Sequence, residues 1–188
     1  MSAGSGREWT DRLNVILSQY HLGHDDGEIH RLAYVCTLLT SFDFQRHPSY
    51  LERGFAFAAN YDITGTYDVT TSPVFSSYLS LTEAIYKRIN PKPDYAGLQD
   101  AIFAMWASQP NWVAEDFTRV SDDVAKRVWI VDADHEEAVK ITQLYDMSGW
   151  LGPKGAKTII LPAVSHFAFI QDEPFFNRAV EDMLNFQL

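Results

Sequence analysis

From residue 127 to its end the chain alternates between two periodicities. "RVWIVDADHEE" is an apolar run closing in an acidic turn, and "EAVKITQLYDMSGW" has apolar positions at helical spacing. "AKTIILPAVSHF" is a second apolar run followed by a loop, and "EPFFNRAVEDMLNF" is helical again. Short β-branched runs bounded by turns read as buried strands, and the segments between them read as helices. Strand and helix in strict alternation, with short connections, imply right-handed crossovers and a parallel sheet flanked by helices. The expected fold class is therefore α/β.

Upstream, "RGFAFAANYD" is apolar and ends in turn residues, which predicts a buried strand over Gly54 to Asn60. Between Asp62 and about Asp122 no comparable strand is expected. "SSYLSLTEAIYKRI" and "YAGLQDAIFAMWASQ" have helical spacing, separated by "NPKPD", and "NWVAEDFTRV" reads as a third, short helix. Nearer the start, "WTDRLNVILSQYHL" carries Leu13, Val15, Ile16 and Leu22 in a pattern that fits a helix or a strand ending at Leu22. After "GHDDGE", the stretch "IHRLAYVCTLLTSF" is apolar at helical spacing, and Pro48 breaks the chain before the predicted strand.

Charge and cysteine content narrow the function classes. A formal net charge of -10, with no basic cluster, repels a phosphate backbone, so nucleic acid is not an expected partner. The single cysteine, Cys36, excludes an internal disulfide framework and reads as a buried structural thiol in a reducing compartment. No leader-like start and no run of about 18 uncharged apolar residues occurs, so a soluble, cytoplasmic protein without a membrane partner is expected. His21, His24, Asp25, Asp26 and His30 could be drawn as metal ligands, but no second ligand pair accompanies them and Cys36 has no thiol partner. Neither metal nor cofactor is expected. Tyr95, Phe103, Trp106 and Trp112 could line a substrate pocket, yet aromatic residues at helical spacing are expected to pack in a core.

Open parallel sheets bind ligands at the carboxyl ends of their strands. Two loops fall there: "DADHEE", residues 132 to 137, and "PAVSHF", which holds His166. An acid from one strand end and an imidazole from the next can meet on one rim, where the carboxylate fixes the ring tautomer and favours the imidazolium. Taken singly, a histidine in an apolar loop is commonly a packed residue, and an acidic run is commonly a solvated turn. Their succession after two strands is what points to chemistry.

"VWIVDADHEEAV" followed by "GAKTIILPAVSHFAFIQDEPFFNRAVEDML" resembles the C-terminal end of an α/β-hydrolase. "RGFAFAANYD" resembles the strand after that superfamily's nucleophile helix, and the helical stretch between resembles its cap. The resemblance implies a partial α/β-hydrolase fold: a core remnant over 1–61, a helical cap over 62–122 and a C-terminal core over 123–188. It also implies that His166 is the catalytic base. The acid falls on Glu136, with Asp134 as a second possibility. In "LGHDDGE", Gly23 and Gly27 take the glycine positions of Gly-x-nucleophile-x-Gly, which puts Asp25 at the nucleophile position and resembles the epoxide hydrolase and dehalogenase branches.

The implied reaction is hydrolysis of a small ester-like or related substrate by a nucleophile–His–acid triad, without a cofactor. Twenty-two residues precede Gly23, too few for the superfamily's early strands and its oxyanion loop. A truncated hydrolase is therefore expected, weak or inactive, with apolar strand edge uncovered near Leu13 to Leu22, marginal stability and self-association through that edge. The alternative is a catalytically silent binding or scaffold protein.

Overall fold

The computed structural model describes residues 32–34 and 53–187. Four strands, β1 (Leu32–Tyr34), β2 (Arg53–Phe57), β3 (Val128–Ala133) and β4 (Lys157–Leu161), form one sheet in the order β1-β2-β3-β4. Every pairing is parallel, with Phe55 opposite Trp129 and Val131 opposite Ile159. The helices are α1 (Pro73–Ile89), α2 (Tyr95–Trp106), α3 (Ala114–Thr118), α4 (Asp122–Ala125), α5 (Ile141–Leu151), α6 (Ala168–Gln171) and α7 (Glu173–Asn185).

Side-chain alternation along β2 and β3 divides the core into two layers. Phe55, Phe57, Trp129, Val131 and Ala133 face α7, where they meet Phe176, Ala179, Val180 and Met183. Ala56, Val128 and Ile130 face the opposite way, onto Leu144, Met147 and Leu151 of α5, with Phe117 of α3 and Val124 of α4. All six residues of β3 are buried, as a strand covered on both faces requires, which explains why it reads as an apolar run from Val128 to Val131. Phe176 is the keystone of the α7 layer. Its ring lies edge-on to Phe57 at 5.1 Å and to Phe55 at 5.6 Å.

Two expectations are revised. Within the stretch "IHRLAYVCTLLTSF", Leu32–Tyr34 is a strand paired to β2 and not helix, and residues 29–31 and 35–42 lie outside the described residues. An apolar run this short fits a buried strand and a buried helix equally well by periodicity, and pairing decides it. The strand predicted to reach Asn60 stops at Phe57, because Ala58 turns out of the sheet with φ 48.

The segment after β2 contains helices and short 3-10 turns, as expected, but it is tied back to the core. Thr66 bridges Val139, and Asp62 bridges Asn111. Ser72 caps α1 by accepting from the Phe75 N–H, with Pro73 in the first turn. The expectation that Phe103 and Trp106 are core residues fails. α2 buries none of its residues, and these two rings pack against each other at 5.8 Å while 48% and 40% exposed. Trp112 does pack inward, against Phe117 at 6.2 Å, and Tyr95 is half-buried. No helix among the described residues is long and apolar enough to cross a membrane.

Because Phe176 fills the space between two strands and α7, Phe176→Ala should cost about 3–5 kcal/mol of folding free energy. Urea denaturation of both chains measures this, and a loss below about 1 kcal/mol would show that the α7 layer does not depend on this ring.

Candidate active site

The acid loop follows β3, and the histidine loop follows β4. Their backbones interlock past the end of the sheet: Asp134 N–H donates to the Leu161 carbonyl at 3.0 Å, and His135 N–H to that of Val164 at 3.1 Å. The acid loop is also sewn to the segment after β2. Tyr67 N–H donates to the Ala138 carbonyl, and Lys140 N–H to that of Gly65, each at 2.8 Å. Gly65 is required there, since a Cβ would run into the Gln143 amide, whose Oε1 accepts from Tyr61 N–H at 2.7 Å.

Within this frame Glu136 and His166 meet. Glu136 Oε1 lies 2.8 Å from His166 Nδ1 and also accepts from the N–H groups of Ala138 and Val139, at 2.7 and 2.9 Å. The Glu136 side chain is only 3% exposed, whereas the imidazole is 26% exposed. Two backbone donors fix the carboxylate in place. An ionised carboxylate only accepts, so the proton of the neutral ring sits on Nδ1 and Nε2 keeps its lone pair. That is the protonation pattern of a general base.

The other acids of the loop have different places. Asp134 does not reach His166. Its Oδ1 lies 2.7 Å from His135 Nδ1, and hydrogen bonding from the Ala163 backbone holds its carboxyl below the ordinary range. Glu137 Oε2 accepts from the backbone N–H of His166 at 3.2 Å. Asp132, which reads as part of the turn, is the penultimate residue of β3 and 1% exposed. Burial pushes its carboxyl up to about 7, with Glu136 adding to the rise, while the Ala133 N–H and His166 oppose it. A charged residue within an apolar strand was the available signal for Asp132. Nothing in the sequence singled out Glu137 from its neighbours.

Phe75, near the start of α1, is 5.9 Å from the His166 ring, and Phe75 and Tyr78 pack on Phe167, next to His166. Beside the acid loop, Tyr67, Val139, Ile141, Tyr145 and Ile160 wall an open cleft of about 350 Å³ that Asp134 and Glu136 also line. Asp25, with His21, His24, Asp26, His30 and Cys36, lies outside the described residues, as does the Leu13 to Leu22 stretch.

The Asp132 carboxyl generates a pH prediction. Its folded value, about 7, lies above the value near 3.9 of an unfolded chain, so the native state holds a proton that the unfolded state has released. Its contribution to stability therefore declines as pH rises from about 4 to about 7. In Asp132→Asn that slope is gone. The unfolding free energy of the variant relative to the parent should climb across this window, by up to about 4 kcal/mol. Urea titrations at several pH values measure it, and a pH-independent difference would refute the assignment.

No protein-family profile and no curated sequence matches the chain. Solved structures do match. A meta-cleavage product hydrolase from Pseudomonas fluorescens is similar over 98% of this chain and 73% of its own, with a TM-score of 0.59 and 16% identity. A hydrolase from Pseudomonas aeruginosa is similar over 94% of this chain and 70% of its own, with a TM-score of 0.55 and 13% identity. The chain spans 61% of the length of a Mycobacterium tuberculosis protein described as a non-heme bromoperoxidase, at a TM-score of 0.44. At these identities the likeness speaks to architecture alone. With its parallel strands, its flanking helices and these matches, the chain has an α/β-hydrolase fold in partial form.

Proposed function

We propose that the chain is a hydrolase of small ester-like substrates in which His166 is the base and Glu136 the acid that orients it. The observation that carries this reading is the Glu136–His166 hydrogen bond of 2.8 Å at the carboxyl ends of adjacent strands. With Nδ1–H directed at Glu136, Nε2 takes a proton from the attacking group and returns it to the leaving group. The buried carboxylate stabilises the imidazolium in between. α1 and α2 act as the cap: the packing of Phe75 beside His166 supports this, since it brings the helical segment over the strand ends. The names of the two structural neighbours, both hydrolases, agree with the reaction class.

Asp25 is the nucleophile candidate from sequence. The position of β1 favours a second assignment, because a nucleophile delivered from the strand beside β2 must follow Tyr34, where Cys36 and Thr37 are the first nucleophilic side chains. That stretch, "VCTLL", lacks the flanking glycines of a strained elbow. Their absence favours the other reading, a silent binding or scaffold protein that uses the same cleft.

Hydrolysis of p-nitrophenyl acetate by the purified chain separates these readings. The hydrolase reading predicts slow turnover above background that His166→Ala abolishes and that one of Asp25→Asn, Cys36→Ala or Thr37→Ala also abolishes. Turnover that survives His166→Ala would refute the assigned base, and no turnover in the parent chain would favour the silent protein.

A further inference from the structure

Glu136 and Glu137 are consecutive, yet both reach the same histidine. Glu136 takes the ring at Nδ1, and Glu137 takes the backbone N–H of His166 through Oε2, at 3.2 Å. A glutamate in an acidic turn ordinarily points its carboxylate into water. Glu137 instead turns inward, and its Oε1 is buried without a hydrogen-bond partner among the described residues, as is Oε2 of Glu136. Leaving buried carboxylate oxygens unpaired costs stability, so a solvated turn would not adopt this arrangement unless the contact to the histidine loop held it there.

The histidine loop needs such a hold. Ala163 sits at φ 60, a conformation that non-glycine residues adopt rarely. The neighbouring amides are each secured: Ser165 N–H by Gln171 Oε1 at 2.9 Å, and Phe167 N–H by Ser165 Oγ at 3.4 Å. For His166 the acceptor is Glu137. A ring can meet Glu136 in line only if its own backbone is fixed, because small rotations about the Cα carry Nδ1 out of hydrogen-bond range.

We propose that Glu137 is a positioning residue: it clamps the His166 backbone so that the imidazole stays aligned on Glu136. This rests on the reading of Glu136 and His166 as acid and base. The pair of adjacent glutamates then works as one device, one member holding the peptide and the other holding the ring.

NMR of the 15N-labelled full chain tests this without depending on turnover, by following the His166 amide exchange rate and the His166 Nδ1–H signal. In Glu137→Ala the amide should exchange about tenfold faster or more, as expected for loss of one hydrogen bond, and the Nδ1–H signal should weaken. Glu137→Gln, whose amide oxygen accepts the same N–H, should restore both. Glu137→Asp keeps the charge but falls one methylene short, so it should behave like the alanine variant, and it serves if that variant does not fold. Where p-nitrophenyl acetate is turned over, kcat should fall about tenfold in Glu137→Ala with KM unchanged, and Glu137→Gln should recover it. If Glu137→Ala and Glu137→Asp leave both signals as in the parent while Glu136→Ala abolishes the Nδ1–H signal, the clamp is refuted and the acid–base pair stands. If Glu136→Ala also leaves that signal unchanged, the pair itself is refuted and the clamp falls with it.

Discussion

The burial of β3 is the constraint on which the rest of this architecture depends. It pairs with β2 on one side and β4 on the other, and all six of its residues are buried. α5 and α7 find their places against its two faces. Because β4 runs parallel to β3 in a fixed register, the loops leaving both strands emerge at the same rim. Glu136 and His166, 30 residues apart in sequence, are neighbours for that reason.

The rim itself is polar and buried, an expensive combination that the backbone makes tolerable. Glu136 is held by two N–H groups of its own loop and by the His166 ring. Asp132, a few positions earlier, has its Oδ1 on the next N–H at 2.8 Å, and it lies inside the sheet, where burial favours the protonated form. Two carboxyls in one small region thus have different environments, one bonded by two loop N–H groups and an imidazole, the other within the sheet and pushed toward neutrality by burial.

Much of this was legible in the sequence, and the failures have physical reasons. The alternation of periods from "RVWIV" onward located β3, α5, β4 and α7, because strands buried on both faces are continuously apolar. The strand-end rule then placed an acid of "DADHEE" beside His166. Chemistry within that loop was less legible. Asp132 looked like the start of a solvated turn, but the strand continues to Ala133 and carries it inside. Asp134, the alternative acid, is engaged by His135 and by the backbone of the facing loop. β1 was hidden because "LAY" lies in a run whose apolar spacing also fits a helix, and strand pairing is not a local property. Phe103 and Trp106 share a helical stripe that reads as core, yet α2 presents them outward.

A double-mutant cycle on Glu136 and His166 measures the central claim most directly, since it isolates the energy that the two side chains share across the strand ends. Unfolding free energies of the parent, Glu136→Ala, His166→Ala and the double variant at neutral pH should give a favourable coupling of about 1–3 kcal/mol, as for a charge-assisted hydrogen bond to a buried carboxylate. A coupling indistinguishable from zero would contradict the account, because it would mean that the two loops do not bring this acid and this base together in solution.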